Sequence, residues 1–441
     1  MLAATAAKVG AALLTALVTA GALGGCAGGG GTSAADQPRE SGELPAPGFA
    51  RDWATRLDLK NDTVDRLFVR GGLLFVYTKG GSSYVMKRDT GELLHFDQVP
   101  GGEYRLRPPI LLANHIVYPT TSILEVYGLD GARQRPVDLR GALRADPVGA
   151  GVHVYAPIDT PGGGGSRIRK VDVTGVADIA NWELQVFKGG VSSAPAVQDD
   201  VVYAADEGGL VYAVTADVRD PAWPVFVAPY GNVFDARAPV TADLKADETG
   251  IYVATQGEGR LYCLNRVNGQ VKWQWFGTGP LTASPVPTSD TVYQQDANLG
   301  MVAINKAEDP EIADPQYNRT KGMGVRWERS DVTQVLAQDD RYTYALRKDK
   351  VILALDKKTG ETQFTSRRND LHAFATNPAD GTIYAASRGG RVLAIKPNLQ
   401  VGAVGELVRA DREEDREADT VPPENGAGAV IPPQAALAQA R

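Results

Sequence analysis

Residues Leu261 to Trp273 read LYCLNRVNGQVKW, and residues Ile352 to Phe364 read ILALDKKTGETQF. Each is a short apolar run, then a polar turn ending in Asn-Gly or Thr-Gly, then an aromatic residue four places after the glycine. The run has strand length, and glycine adopts positive φ at little cost in a tight turn, so each stretch predicts two antiparallel strands joined by a hairpin.

Reading outward, the apolar run recurs as Val211 to Val214, Met301 to Ile304 and Val392 to Ile395. Its central column holds Ala213, Cys263, Ala303, Ala354 and Ala394, which marks Cys263 as a small buried residue. A glycine hairpin precedes each run, at Gly80-Gly81, Gly208-Gly209, Gly259, Gly300 and Gly389-Gly390. Before that hairpin lies a β-branched strand centred on a tyrosine: Tyr77, Tyr118, Tyr155, Tyr203, Tyr252, Tyr293, Tyr344 and Tyr384. Proline, which suits a first strand residue because no ladder donor is needed there, opens the unit at Pro109-Ile110, Pro147-Val148, Pro195-Ala196, Pro239-Val240 and Pro285-Val286. Alternation within the strands is blurred, as for sheets buried on both faces.

The eight tyrosines stand roughly 40 to 50 residues apart, the period of a four-stranded propeller blade. The expected fold is all-β: an eight-bladed propeller of four-stranded antiparallel blades, about 44 residues each. The six tryptophans fit outer strands, and Trp53 precedes the first complete copy. The segment Asp52 to Leu59 is therefore expected to pair with the last copy and close the ring, which removes free sheet edges. A solenoid, or seven blades with an irregular insertion in the third copy, are the rival arrangements.

The order of small residue-Pro-apolar, tyrosine strand, Gly hairpin, apolar-Ala-apolar, Thr-Gly turn and Trp resembles the PQQ-like β-propeller repeat, over most of residues 53 to 400. Within that family the lipoproteins of the outer-membrane β-barrel assembly machinery are similar in size and layout, with a lipidated N-terminus, a short linker and one ring of eight blades. The resemblance implies a non-catalytic scaffold whose partner is an envelope protein, possible machinery for outer-membrane protein assembly included. This chain departs from the pattern in the irregular stretch Asp159 to Trp182 and in a charged C-terminal tail. Quinoprotein dehydrogenases share the repeat but use a calcium-bound quinone and commonly an adjacent cysteine pair, and no Cys-Cys occurs here. A PQQ- or metal-dependent oxidoreductase and a solute- or polysaccharide-binding propeller are the alternative functions.

Residues 9 to 23 form an uncharged apolar stretch after Lys8, too short for the ~20 residues of a bilayer span but of signal-peptide length. It ends at Leu23-Gly24-Gly25-Cys26, the form of a lipobox, so Cys26 is the expected lipidation site. The expected organisation is a lipoprotein signal peptide at 1–25, a flexible tether at 26–51, the propeller at 52–408 and a charged, then Pro/Ala-rich tail at 409–441. Two or three acyl chains anchor stably where one does not. The expectation is a monomeric propeller, lipid-anchored in the cell envelope at the periplasmic face of the outer membrane.

Forty-six basic against fifty-three acidic residues leave a net charge of −7, which argues against nucleic acid as a partner. The four histidines, His95, His115, His153 and His372, fall in separate copies without metal-ligand spacing. No catalytic residue, metal site or cofactor is expected. The sequence instead points to a surface. An antiparallel meander puts the glycine hairpins on the same face as the connections between blades, together with Tyr104, Arg107, Asp206, Glu258 and Asp370. On that face Tyr230, Asp235, Arg237, Arg367, Arg368 and Arg388 are the candidate partner-binding residues, because Tyr and Arg bury area while still hydrogen-bonding.

Overall fold

The structure, a computed structural model, describes residues 48–101, 106–159, 165–175, 182–185, 189–217, 220–223, 233–306 and 324–398. Eight antiparallel meanders form the eight blades of a β-propeller, in agreement with the repeat. Blade 1 runs from Val64 to Gln98, blade 2 from Ile110 to Asp138, blade 3 from Ala142 to Gln185 and blade 4 from Ala196 to Asp235. Blade 5 runs from Lys245 to Phe276, blade 6 from Val286 to Arg329 and blade 7 from Val332 to Arg367. Blade 8 takes three strands from Leu371 to Asn398 and its fourth from the other end of the described chain, Gly48–Arg56.

That fourth strand pairs antiparallel with Arg391–Asn398 and sets Trp53 opposite Ala394. Closure occurs as expected, by a strand that starts four residues before Asp52 and ends at Arg56 rather than Leu59. Because each sheet is apolar on both sides, buried side chains sort into eight clusters, one at each seam between neighbouring blades.

The small-residue column has a geometric cause. Tyr384, Ala394 and Trp53 lie opposite one another across three strands, as do Tyr252, Cys263 and Trp273, and Tyr293, Ala303 and Trp327. A small side chain on the middle strand lets the two rings lean together over it. The Tyr–Trp centroids are 6.1, 6.1 and 5.7 Å apart at 42–43°. Tyr203 with Trp223 repeats the pair beside Ala213, whereas Tyr155 with Trp182 makes it with Lys170 opposite the tyrosine. Cys263 is fully buried within this column, which accounts for it as packing.

Each of these tryptophans also reaches across a seam. Trp53, Trp223, Trp273 and Trp327 donate their indole N–H to the carbonyls of Arg88, Arg266, Lys306 and Lys357 of the following blade. Those four cations in turn pair back with Asp380, Asp199, Asp247 and Asp290, in the first hairpin of the blade that supplied the indole. The result is a three-part latch of indole, cation and carboxylate, repeated at four seams. Glycine in the next blade's turn lets the indole lie flat: a Cβ on Gly91 would stand 2.3 Å from Trp53, and one on Gly360 2.5 Å from Trp327.

Two local expectations need correction. Pro239-Val240 does not open the innermost strand of blade 5, which starts at Lys245; its carbonyl instead holds Gln256 of the hairpin. Asp206 is not a surface group: it is buried and accepts hydrogen bonds from Leu210 N–H (2.9 Å) and Tyr212 O–H (2.8 Å), which fixes the turn. Blade 3 is irregular, as expected, with its innermost strand split into Ala142–Leu143 and Val148–Ala150, both paired with His153–Asp159.

Candidate functional site

The hairpins between second and third strands are stitched by backbone hydrogen bonds to the connections between blades. Ala236 donates to Gly209 (2.8 Å), Gly277 to Gly259 (2.7 Å), Leu57 to Gly390 (2.8 Å) and Val64 to Arg388 (3.1 Å). Close approach demands glycine here, since a Cβ on Gly259 would lie 1.8 Å from the Gly279 carbonyl oxygen. The two loop sets therefore share one face, and side chains on it are held by a fixed backbone rather than by mobile tips.

The candidate residues fall into two sectors. Asp235 and Arg237 are exposed at the link from blade 4 to blade 5, where Asp235 accepts from the Arg237 backbone N–H at 2.8 Å and Arg237 sits at φ 58°. Arg367, Arg368 and Arg388 belong to blades 7 and 8. Arg367 and Arg347 share Asp349, while Arg368 and Arg391 share Asp370 at 3.4 and 3.7 Å. The ring thus brings the three arginines into neighbouring blades and leaves Asp235 and Arg237 three blades away. Tyr230 and Cys26, like Tyr104, lie outside the described residues.

Two recesses have arginine in their lining. One of about 320 Å³ is lined by Arg66, Arg107, Thr120, Thr121 and Asp146, with Arg107 fixed by Asp146 (2.9 Å) and by the Leu143 carbonyl (2.7 Å). Another, of about 370 Å³, lies in the channel among the innermost strands of blades 1, 7 and 8 and is lined by Arg66, Phe68, Arg70, Gln334, Phe374 and Thr376. Arg66 donates to the Leu106 carbonyl (2.6 Å) and lies 5.5 Å over the Phe68 ring, and Arg70 donates to the Pro109 carbonyl (3.1 Å). Burial lowers Arg70 from its ordinary value and pushes the Tyr77 hydroxyl well above its own. These guanidiniums are bound to carbonyls and form a fixed positive lining.

One buried chain links three titratable groups. His95 Nδ1 lies 2.9 Å from Asp97, whose other oxygen accepts from Tyr118 O–H at 2.5 Å, and both Asp97 and Tyr118 are shut in the seam between blades 1 and 2. Burial, reinforced by Asp97, raises Tyr118 well above the usual phenol range. Among the described residues no trio of His, Cys, Asp or Glu side chains is placed to hold a metal ion.

The sequence reading missed Lys79, Lys350 and His372 on this face. Lys79 and Arg388 flank the glycine hairpins of blades 1 and 8, and Lys350 ends the corresponding hairpin of blade 7, so a basic residue recurring in three successive copies was the available signal.

No family model matches the chain. It is 24% identical over 209 residues to the outer membrane protein assembly factor BamB of Yersinia pestis, covering 46% of this chain and 53% of that protein. With BamB of Escherichia coli (strain K12) the match is 33% identity over 93 residues, 21% of this chain and 24% of the relative. The chain therefore spans about half the length of the first relative and a quarter of the second. Among solved structures, BamB from Moraxella catarrhalis superposes with a TM-score of 0.57 at 15% identity, over 79% of this chain and 97% of that one. The computationally designed Ika8 protein gives 0.56 at 14% identity, over 77% and 98%. At such identities the structural likeness speaks to the fold alone.

Proposed function

We propose that this chain, a BamB-like β-propeller, is a non-catalytic protein-interaction scaffold of the bacterial envelope, working in outer-membrane protein assembly. The observation that carries the reading is the stitched face itself: rigid loops present charged residues in two sectors. The BamB relatives support the assembly role, and the lipobox supports attachment through Cys26 at the periplasmic face of the outer membrane. A rigid platform suits recognition because its contacts cost little ordering entropy on binding.

Asp235 and Arg237 on one side, with Arg367, Arg368 and Arg388 on the other, are the residues assigned to partner contact, and Tyr230 is assigned to it from the sequence. The test is affinity capture from envelope extracts with the wild type and with an Asp235→Lys/Arg237→Glu variant. The expected result is a captured assembly-machinery component that the charge reversal releases, with the melting midpoint unchanged. Equal capture by both proteins would remove these two residues from the interface, and a bound chromophore on titration with PQQ and Ca²⁺ would overturn the scaffold reading altogether.

A further inference from the structure

Charge on the stitched face is not evenly distributed. Blades 4 and 5 carry Glu207 and Glu258 in their hairpins, whereas blades 7, 8 and 1 carry Lys348, Lys350, Arg388 and Lys79. The carboxylates of that basic sector are already engaged: Asp349 by Arg347 and Arg367, Asp370 by Arg368 and Arg391, Asp65 by Arg66, and Asp62 by the Gly80 N–H. Lys79, Lys350 and Arg388 are exposed and have no ion-pair partner among the described residues.

Two of these cations flank one stretch of backbone. Lys79 and Arg388 are tied to consecutive residues, since the Lys79 N–H donates to the Thr63 carbonyl (3.0 Å) and the Arg388 carbonyl accepts from Val64 N–H (3.1 Å). His372, second residue of the innermost strand of blade 8, feels the charge of all three. Its Nδ1 is buried without a hydrogen-bond partner. Burial first, then Arg388, Lys350 and Lys79, lower His372 from its ordinary value, with Asp65 opposing. Directly inside, the recess of about 370 Å³ is walled by the same three blades.

We propose that this mouth docks an acidic, extended peptide segment of a protein partner, its carboxylates meeting Lys79, Lys350 and Arg388 and one side chain entering the recess. Three cations without ion-pair partners, on the hairpins of three successive blades, offer separate contacts to several carboxylates along one strand. The site surrounds a concave opening, so a flat anionic bilayer would meet the hairpin tips but leave the recess and His372 unfilled. The inference rests on the scaffold reading only in treating this face as one that meets proteins; its test needs no envelope partner, so either can fail alone.

The experiment titrates the purified propeller with a fluorescein-labelled peptide of alternating Asp and Glu, with a Lys-rich peptide and phosphatidylglycerol vesicles as comparison probes. The acidic peptide is expected to bind, to weaken as salt rises, and to lose roughly tenfold or more in affinity with Lys79→Ala/Lys350→Ala/Arg388→Ala, while Lys358→Ala, in the exposed turn between the third and fourth strands of blade 7, binds as wild type. A carboxylate near His372 favours the imidazolium, so saturation with peptide should raise the His372 titration followed by its ring proton resonance. The three alanines replace exposed side chains, and an unchanged melting midpoint will show the fold intact. Equal binding by the triple variant, no peptide binding, or an unmoved His372 would each overturn the proposal. Vesicle binding lost in the triple variant without peptide binding would assign the mouth to a membrane surface instead.

Discussion

Trp327 of blade 6 and Phe364 of blade 7 occupy the same column of the repeat, opposite Ala303 and Ala354, yet the seams they face are held by different chemistry. Trp327 bonds the Lys357 carbonyl, and Lys357 returns to Asp290 at 3.0 Å. Phe364 has no N–H to donate; it packs at 4.9 Å against Phe49 of the closing strand, and Pro397 stands where the cation of a latched seam would be. His95 takes the column in blade 1 and bonds Asp97 instead. The seam from blade 3 to blade 4 lies between these cases. Trp182 keeps its bond to the Ala216 carbonyl, Ala216 cannot supply a cation, and buried Lys170 of blade 3 donates to the same oxygen at 2.8 Å. The comparison teaches that the carbonyl is the fixed point: where an indole reaches it, a cation accompanies it from one side or the other, and where the indole is lost the cation goes too.

The largest expected effect comes from breaking the latched seam that joins the two ends. A chain beginning at Leu57 loses the fourth strand of blade 8, the Trp53 bond to Arg88 and the Phe49 contact with blade 7 at once. It also exposes the edge of Arg391–Asn398, a template for pairing with other chains. Such a chain should lose its cooperative melting transition and elute as aggregate in size exclusion, whereas one beginning at residue 44 should remain a folded monomer. A folded monomer without residues 48–56 would mean that closure contributes little and that each blade stands alone.

A smaller effect separates the two column residues. Trp327→Ala removes a buried indole together with its hydrogen bond and should cost about 3–5 kcal/mol in chemical denaturation. Phe364→Ala removes a half-buried ring with no directional bond and should cost about half as much. Equal losses would show that the latch adds nothing beyond apolar area, and the comparison would collapse to ring size.

Much of this architecture was legible because the repeat writes it in columns. The tyrosine, the small residue and the tryptophan recur at fixed offsets, and the closing strand announced itself by an early Trp53 without a preceding copy. The cations were equally regular, at Arg88, Arg266, Lys306 and Lys357, two places after the last apolar residue of the third strand, but charge in a turn reads by default as solvation. What could not be read was Asp206, because a hairpin aspartate looks the same whether it faces water or folds inward onto Tyr212. The candidate face was legible by topology, and its residues were not. Asp235 and Arg388 share a face because strand order requires it, but their membership of different sectors depends on blade number, and the grouping of Lys79, Lys350 and Arg388 around His372 depends on three hairpins distant in sequence. Tyr230 and Cys26 remain sequence expectations.

The smallest effect concerns how far a latch depends on its carboxylate. Burial alone would raise Asp290, but Lys357 and Arg326, each 3.0 Å away, outweigh it and hold it at about 2, below its ordinary 3.8. A carboxyl held down in the folded state stabilises above its unfolded value and loses that contribution as pH falls through the folded one, so the window runs from about pH 4 to about pH 2. Because Asp290 is partly open to water, the stabilisation is about 1 kcal/mol after solvent screening. Asp290→Asn should therefore be less stable than wild type at neutral pH, and the gap should close across that window. The carboxylate of the blade 4 latch, Asp199, is also lowered, first by its hydrogen bond from Arg266, but it is largely exposed. Raised salt should erase the acid-limb difference produced by Asp199→Asn while sparing most of that from Asp290→Asn. If salt erased both alike, the carboxylates would be surface ornaments to seams that indole and carbonyl hold by themselves.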